Sequence, residues 1–511
     1  MMSLSDLVAT LSGLVMDDTP GAAPRPVKAI VYDSRKASPG GLFVALRGEK
    51  VDGTAFALQA VSRGAVAVVS ESRKPEGVDV PWIVVKDGRL ALSRLASAFY
   101  AKPSTELRVV GITGTNGKTT TAYLVTALFE AAGIKCGMLG TVVYRIGDEE
   151  RAATRTTPES VDIQQMLREM VKRGCGACAM EVSSHALAQR RADGIEFAAG
   201  VFTNLTRDHL DFHRDMESYF LAKRRLFEIL PPGAPAVINV DDPRGPSLAG
   251  IVARTVTYAL DRPADVRPAR LTNTLRGLEF DVESPAGEIK VRSRLVGRPN
   301  AYNMLAAIAT AVALDLPVEA IERGLEGIEG IPGRFQVVSG PADDITVVVD
   351  YAHTDDALKN LLETVRPLAR QRLITVFGCG GERDRTKRPL MGAVAARLSD
   401  LVIVTSDNPR GEDPAEIIEE VKRGIAMPAE RTRPAEGREG QKYTPPRATA
   451  HMGIVDRRLA IDRAITLAKP DDVVVLAGKG HEKYQVIGDK EVPFDDVVVA
   501  REALAKRRGG A

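Results

Sequence analysis

Lys118 and the two threonines after it, Thr119 and Thr120, form the densest concentration of phosphate chemistry in the chain. They close the run Gly111-Ile-Thr-Gly-Thr-Asn-Gly-Lys-Thr-Thr120. An apolar run, Leu107 to Ile112, precedes them, and a helical pattern runs from Thr119 to about Glu130. A glycine loop between strand and helix aims backbone N–H groups at an anion, and the helix N-terminus adds partial positive charge. Gly114, Thr115, Asn116 and Gly117 would wrap the phosphates. Lys118 would reach the β and γ groups, and the Thr119 hydroxyl would reach a magnesium ion. The strict spacing G-x-x-x-x-G-K-[ST] is not met, because position 112 is Ile and the first glycine stands one place early. An ordinary glycine turn would not need Gly-Lys-Thr-Thr between a strand and a helix.

The elements that must carry this loop can be read along 511 residues, a length that suggests about three domains. Residues 1–103 hold short strand-like runs (29–32, 41–46, 65–70, 82–85) with helical stretches between them. Residues 104–333 alternate strand and helix patterns, which implies a parallel sheet with crossover helices. Within them, 265–296 reads as a small antiparallel insert. Residues 334–511 begin a second doubly wound series, with strands at 345–350, 373–377, 401–406 and 473–477. The expected fold is therefore α/β in three domains. The first is α/β, the second a P-loop-type parallel sheet, and the third Rossmann-like.

In such sheets ligands sit beyond the C-terminal strand ends. Three polar stretches follow strands of the third series: Asp350-Tyr-Ala-His353, Asp407-Asn-Pro-Arg410 and Gly478-Lys-Gly-His-Glu482. They point to one site on one face.

Composition narrows the setting. Hydrophobic residues are 44%, charged residues 27%, and the formal net charge is +2, which gives no electrostatic case for nucleic acid or membrane partners. Four cysteines are too few for a disulfide framework in so long a chain. Cys175 and Cys178 lack a second ligand pair and read as small buried residues beside a strand. Residues 1–18 lack the basic start of a secretory signal, and no apolar run is long enough to span a bilayer. A reducing cytoplasm is the expected compartment. Residues 427–452, rich in Pro, Arg, Glu and Gly, read as an exposed loop. The basic end Lys506-Arg507-Arg508 reads as solvated.

Further motifs occur in order: Met180-Glu-Val-Ser-Ser-His-Ala-Leu187, Thr203-Asn-Leu-Thr-Arg-Asp-His-Leu-Asp-Phe-His213, Asn300 with Asn303, Gly333-Arg334, and Asp350 to His353. With the glycine loop they resemble the Mur ligase family, the ATP-dependent amino acid ligases of peptidoglycan synthesis. The resemblance covers nearly the whole chain. Asp33-Ser-Arg35, Gly41-Leu-Phe-Val44, Arg155-Thr-Thr-Pro158 and above all Asp407 to Arg410 carry a narrower likeness, to the branch that adds 2,6-diaminopimelate.

The resemblance implies ATP and Mg²⁺, and a carboxylate activated as an acyl phosphate before an amine attacks it. It makes Lys118, Lys223, Glu181 and His209 the catalytic set. Asn303, Arg334 and His353 join the glycine loop, with Thr120, around ATP. Thr119, Glu181, His209 and a carbamate on Lys223 become the metal ligands. It puts UDP-MurNAc-L-Ala-D-Glu against Ser34, Thr156, Thr157, Ser183, Gln189 and Arg191.

A second zwitterionic head on the incoming amino acid needs a cation for its carboxylate and an anion for its ammonium. Arg410 and Glu482 can supply that pair, with Arg388, Asp407, Asn408, Pro409 and Gly478 around them. The partners expected are thus UDP-MurNAc-L-Ala-D-Glu and meso-diaminopimelate, acting on a monomer whose third domain closes on its second. One position departs from the family pattern: Asp355 stands where Pro is usual, and could cap the helix that follows. Alternatives are an L-lysine-adding ligase of the same family, a folylpolyglutamate synthase-like ligase, and a nucleotide-binding module without catalysis.

Overall fold

The computed structural model describes residues 2–18, 25–48, 51–274, 277–340, 342–426 and 450–509. Three α/β sheets follow one another along the chain. The first has five strands in the order Val15–Asp18, Trp82–Val85, Ala65–Ser70, Gly41–Ala45, Ala29–Val31, parallel except at the Val15–Asp18 edge.

The second sheet has eight strands. Six are parallel, in the order Cys136–Leu139, Ala177–Glu181, Arg108–Thr113, Phe197–Phe202, Ala236–Asn239, Thr255–Tyr258. A hairpin, Val143–Ile146 with Glu149–Ala152, adds two antiparallel strands at one edge. The strand alternation decides which layer each residue feeds. Val110 and Ile112 pack with Leu124, Leu128, Met304 and Ile308 of the helices Lys118–Ala131 and Arg298–Ala313. Val109, Cys178 and Met180 face the other way, onto Ile163, Leu167, Leu226 and Phe227 of the helices Ser160–Lys172 and Met216–Glu228. Both faces are covered, as a parallel sheet requires.

The insert expected at 265–296 is a three-stranded meander, Arg267–Thr274, Gly277–Ser284 and Gly287–Ser293. Leu278, Phe280 and Val282 are buried, while Glu279, Asp281 and Glu283 alternate outward.

The third sheet runs Gln336–Val337, Thr346–Asp350, Val473–Ala477, Leu373–Phe377, Leu401–Thr405, Ala450–Ile454, parallel except at the first strand. The C-terminal ends of its central strands lead into the three polar stretches.

Three local expectations change. Of the loop read at 427–452, residues 427–449 lie outside the described residues. Residues 450–452 belong to an edge strand that pairs in parallel with Leu401–Thr405. The basic end is not simply solvated. Arg507, on the helix Asp496–Gly509, binds Asp344 through Nε at 2.7 Å and the carbonyls of Ile465 and Ala468 at 2.9 and 2.8 Å. Asp355 is the first residue of the helix Asp355–Val365 and does not cap it. Thr354 does, its hydroxyl accepting from the Ala357 N–H at 3.2 Å. The four cysteines are free and buried. Among the described residues no helix is long and apolar enough to cross a membrane.

Candidate functional site

The glycine loop leaves the middle of the second sheet between two neighbouring strand ends. Glu181 stands opposite Ile112 on one side, and Phe202 opposite Thr113 on the other. Its glycines are needed for space as well as for conformation. A Cβ at Gly114 would lie 1.8 Å from the Thr203 hydroxyl, and one at Gly117, where φ is +89°, would lie 2.3 Å from Asn303 Oδ1. The loop is laced to the next strand end. Thr203 Oγ1 donates to the Asn116 carbonyl at 2.6 Å, and the Asn116 N–H donates to Asn204 Oδ1 at 2.9 Å.

Two lysines converge on this loop. Lys118 Nζ donates to the carbonyls of Gly114 and Thr115 at 2.9 and 2.8 Å. Lys223, one side of the helix Met216–Glu228, is buried and donates to the same Gly114 carbonyl at 2.7 Å. The Tyr219 ring, one turn earlier, lies 4.4 Å from its ammonium. Burial pushes Lys118 below the ordinary lysine value. It pushes Lys223 well below, and the nearby positive Lys118 adds to the effect.

Glu181 is buried at its strand end and receives three donors. They are the Thr141 N–H at 2.8 Å, the Thr141 hydroxyl at 3.0 Å and the Thr119 hydroxyl at 3.1 Å. Arg334, from the start of the third domain, reaches across and donates to Thr119 Oγ1 at 3.2 Å, its guanidinium stacked 4.7 Å from the Tyr351 ring. A hydroxyl and a carboxylate held this close are hard oxygen donors, which suit a magnesium ion. Among the described residues no three His, Cys, Asp or Glu side chains form a metal cage by themselves.

These groups line a cavity of about 280 Å³ between the second and third domains. Gly117, Lys118, Thr119, Thr120, Glu181, His209, Lys223, Asn303, Arg334 and His353 all reach its wall, as do Thr115, Asn116, Thr156 and Ser183. Burial pulls the imidazoles of His209 and His353 below their ordinary values, so both face the cavity neutral near pH 7. Thr157 and Arg191 lie behind it. The Thr157 hydroxyl donates to the Glu181 carbonyl at 2.9 Å, and Arg191 holds the Thr157 carbonyl at 2.9 Å and Gln189 Oε1 at 2.6 Å. Gln189 and Arg191 are therefore bonded to protein and stand off the wall. Ser34 sits apart in the first domain, bonded to Gln59 at 2.6 Å.

A second cavity, about 490 Å³, shares Asp208, His209, Tyr351, His353 and Thr354 with the first. Its far wall is the set of strand ends of the third sheet. Asp407, Asn408, Arg410, Gly478 and Glu482 line it together. Arg410 adopts a left-handed φ of +52° and is clipped on both sides by the hairpin Tyr484–Pro493. Its N–H donates to the Val486 carbonyl at 3.0 Å, and its carbonyl accepts from Gly488 at 2.8 Å.

Arg388 is not on this wall. It is fully buried and spends its guanidinium on Glu412 at 2.9 Å, Glu420 at 2.8 Å and the Gly380 carbonyl at 3.2 Å. From the run that holds Arg388 it is Arg383 that lines the cavity, with Asp384 on its loop and Lys387 at the start of the helix Lys387–Leu398. Both arginines lie in the run Glu382-Arg-Asp-Arg-Thr-Lys-Arg388, where spacing alone does not separate a structural arginine from an exposed one. Pro409 also stays off the wall and serves as the link between Asn408 and Arg410.

Thr141 and Tyr219 were not singled out by the sequence. Each had a signal: Thr141 follows a parallel strand end, and Tyr219 precedes Lys223 by one helical turn.

Comparison with known proteins agrees with this geometry. Residues 26–100 match the Mur ligase family catalytic domain, 112–311 the Mur ligase middle domain, and 333–480 the Mur ligase glutamate ligase domain. The chain is 50% identical to UDP-N-acetylmuramoyl-L-alanyl-D-glutamate–2,6-diaminopimelate ligase of Geobacter metallireducens, over 99% of this chain and 100% of the relative. A solved structure of a ligase with that same name is 34% identical, covers 99% of both chains and superposes with a TM-score of 0.68. Mycobacterium tuberculosis folylpolyglutamate synthase, solved with ADP and AMPPCP, shares the fold. It is 17% identical over 82% of this chain and 95% of its own, with a TM-score of 0.61. The chain belongs to the Mur ligase family.

Proposed function

We propose that this protein is the ATP-dependent ligase that joins the D-Glu carboxylate of UDP-MurNAc-L-Ala-D-Glu to an amine of meso-diaminopimelate, in the cytoplasm, as a step of peptidoglycan precursor synthesis. The observation that carries it is the shared wall of the two cavities. A glycine-loop cleft with two lysines opens directly onto a pocket lined by both arginines and carboxylates. The relatives' names and their full-length coverage support the same substrates. Residues 1–103, 104–333 and 334–511 serve as the working units: uridine end, ATP, and amino acid.

The chemistry follows from the charges. ATP lies along Gly114 to Thr120, with Asn303 and His353 at its flanks and Arg334 beside the γ-phosphoryl group. A D-Glu carboxylate oxygen attacks the γ-phosphorus and ADP leaves, which gives an acyl phosphate. The diaminopimelate amine then attacks the carbonyl carbon, and phosphate departs with the oxygen that came from the carboxylate. Lys118 and Arg334 offset the negative charge gathered on the transferring group. Thr119, Glu181, His209 and a carbamate of Lys223 would hold Mg²⁺, which neutralises phosphate charge when bound. The depressed Lys223 supports the carbamate, because only a neutral amine adds CO₂. Thr156 and Ser183 offer hydroxyls to the muramoyl dipeptide, Thr157, Gln189 and Arg191 brace them, and Ser34 meets the uridine end.

In the second cavity Arg410 and Arg383 meet the distal carboxylate of diaminopimelate, and Glu482 with Asp407 meets the distal ammonium. L-Lysine lacks that carboxylate and would leave Arg383 and Arg410 without an anion to pair, although Arg410 also donates to the Gly381 carbonyl at 2.7 Å; the missing pair is a large loss in discrimination. ADP release, measured with the UDP-muramoyl dipeptide plus diaminopimelate, plus L-lysine, or with no amino acid, tests the assignment. Release should be fast with diaminopimelate only. Equal rates with lysine would transfer the protein to the lysine-adding branch, and no dependence on either organic substrate would end the proposal.

A further inference from the structure

Gly478-Lys-Gly-His-Glu482 contributes Gly478 and Glu482 to the second cavity, but its lysine does not reach the wall. Lys479 is fully buried behind it. Its ammonium is 3.4 Å from Asp407 Oδ1, 3.1 Å from Asn408 Oδ1 and 3.0 Å from Glu482 Oε2. All three partners line the cavity. Asn408 closes the ring: its Nδ2 donates to Glu482 Oε2 at 2.9 Å, and its Oδ1 also accepts from the Val486 N–H at 3.0 Å. Gln485 Nε2 adds a bond to the Asp407 carbonyl at 2.7 Å.

A buried ammonium is costly unless each proton finds an acceptor, and here three acceptors are supplied by two separate strand ends. The two ends are those of Leu401–Thr405 and Val473–Ala477, which are not neighbours in the sheet, since Leu373–Phe377 lies between them. A cation at this point does two things that an apolar contact could not. It offsets one of two carboxylates that would otherwise repel across the pocket, and it fixes which oxygen of Glu482 is used. Both bonds to Glu482 land on Oε2, so Oε1 remains for a ligand.

We infer that Lys479 is a positioning residue for amino acid selection. Acting from behind the wall, it holds Asp407, Asn408 and Glu482 in the arrangement that reads the distal head of the incoming amino acid. This rests on the functional reading above, which supplies diaminopimelate as the ligand.

The test is steady-state kinetics of Lys479→Met and Lys479→Gln beside the wild type, with diaminopimelate, ATP and the UDP-muramoyl dipeptide each varied in turn. Lys479→Met should raise KM for diaminopimelate at least tenfold and lower its preference over L-lysine. KM for ATP and for the dipeptide should stay within about twofold, because those sites do not touch the ring. Lys479→Gln, which keeps a donor, should fall between the two. An unchanged KM for diaminopimelate overturns the inference. So does a uniform loss across all three substrates, or failure of both variants to fold, since either makes Lys479 a general structural residue. A wild type that ignores diaminopimelate breaks the functional reading and leaves these outcomes distinct from it.

Discussion

The cleft around the glycine loop and the cavity of the third sheet share five wall residues, yet they are centred on different kinds of group. The cleft is centred on one contiguous loop, whose residues 115–120 line it and around which side chains of other segments close. Both lysines rest on carbonyls of that loop, Lys118 from within it and Lys223 from the helix Met216–Glu228, and its glycines are fixed by neighbours closer than a Cβ could tolerate. The far side of the cavity is made from side-chain charges that three separate segments bring together: 383–387, 407–410 and 478–482. A site centred on a backbone loop tolerates little change there and serves chemistry common to many ligases. A site made of charged side chains can be retuned one residue at a time, which is what selection of an amino acid requires.

If that contrast holds, damage to the cleft should appear in kcat and damage to the cavity in the KM of one substrate. The largest effect is expected at Lys223→Ala, with kcat lower by roughly 10²–10³-fold, on the scale of removing one preorganised electrostatic group. Millimolar acetate should restore part of the rate by standing in for the carbamate. Full activity without acetate would remove Lys223 from the mechanism. Arg410→Ala should come next, with kcat/KM for diaminopimelate down on the order of 100-fold for loss of a charge-assisted pair, while KM for ATP stays put. A parallel loss for ATP would blur the distinction between the two sites.

Gly117→Ala should be milder. Its φ of +89° and the 2.3 Å approach to Asn303 Oδ1 impose strain of about 1–3 kcal/mol, which the flexible Asn303 side chain partly relieves. ADP affinity by calorimetry should fall about tenfold, with diaminopimelate binding unaffected.

The smallest effect concerns His481, between Lys479 and Glu482. Burial, with Arg334, Lys479 and His353 nearby, holds it at about 4, against roughly 6.5 in an unfolded chain. The unfolded chain therefore binds the extra proton between those values. The contribution to stability is complete above pH 6.5 and is lost as pH falls toward 4. The melting temperature should decline across that window, and less steeply for His481→Gln. Identical slopes would mean that His481 is not held neutral.

The same contrast explains what could be read in the sequence. Strands at 65–70, 82–85, 373–377 and 473–477 are as expected because continuous β-branched runs bounded by polar turns leave one solution. The glycine loop was legible because its chemistry is consecutive. Edge elements were not: the hairpin Val143–Ile146 with Glu149–Ala152 and the strand Ala450–Ile454 carry little hydrophobic periodicity and owe their form to the strands beside them. Arg383 and Arg388 show the limit within a site. Five residues apart on one basic run, they differ only in that Glu412 and Glu420, from a later loop and helix, claim the second. No local pattern encodes that choice. Lys479 was hidden for the same reason, since its three acceptors lie on two strand ends.

The central step is a carboxylate activated in the cleft and consumed by an amine from the neighbouring cavity. Its most direct test uses UDP-MurNAc-L-Ala-D-Glu carrying ¹⁸O in the D-Glu γ-carboxylate, with ATP, Mg²⁺ and diaminopimelate, and mass spectrometry of the phosphate and the peptide. One ¹⁸O should appear in the phosphate for every new amide formed. Unlabelled phosphate, or ATP turnover without an amide, would contradict it.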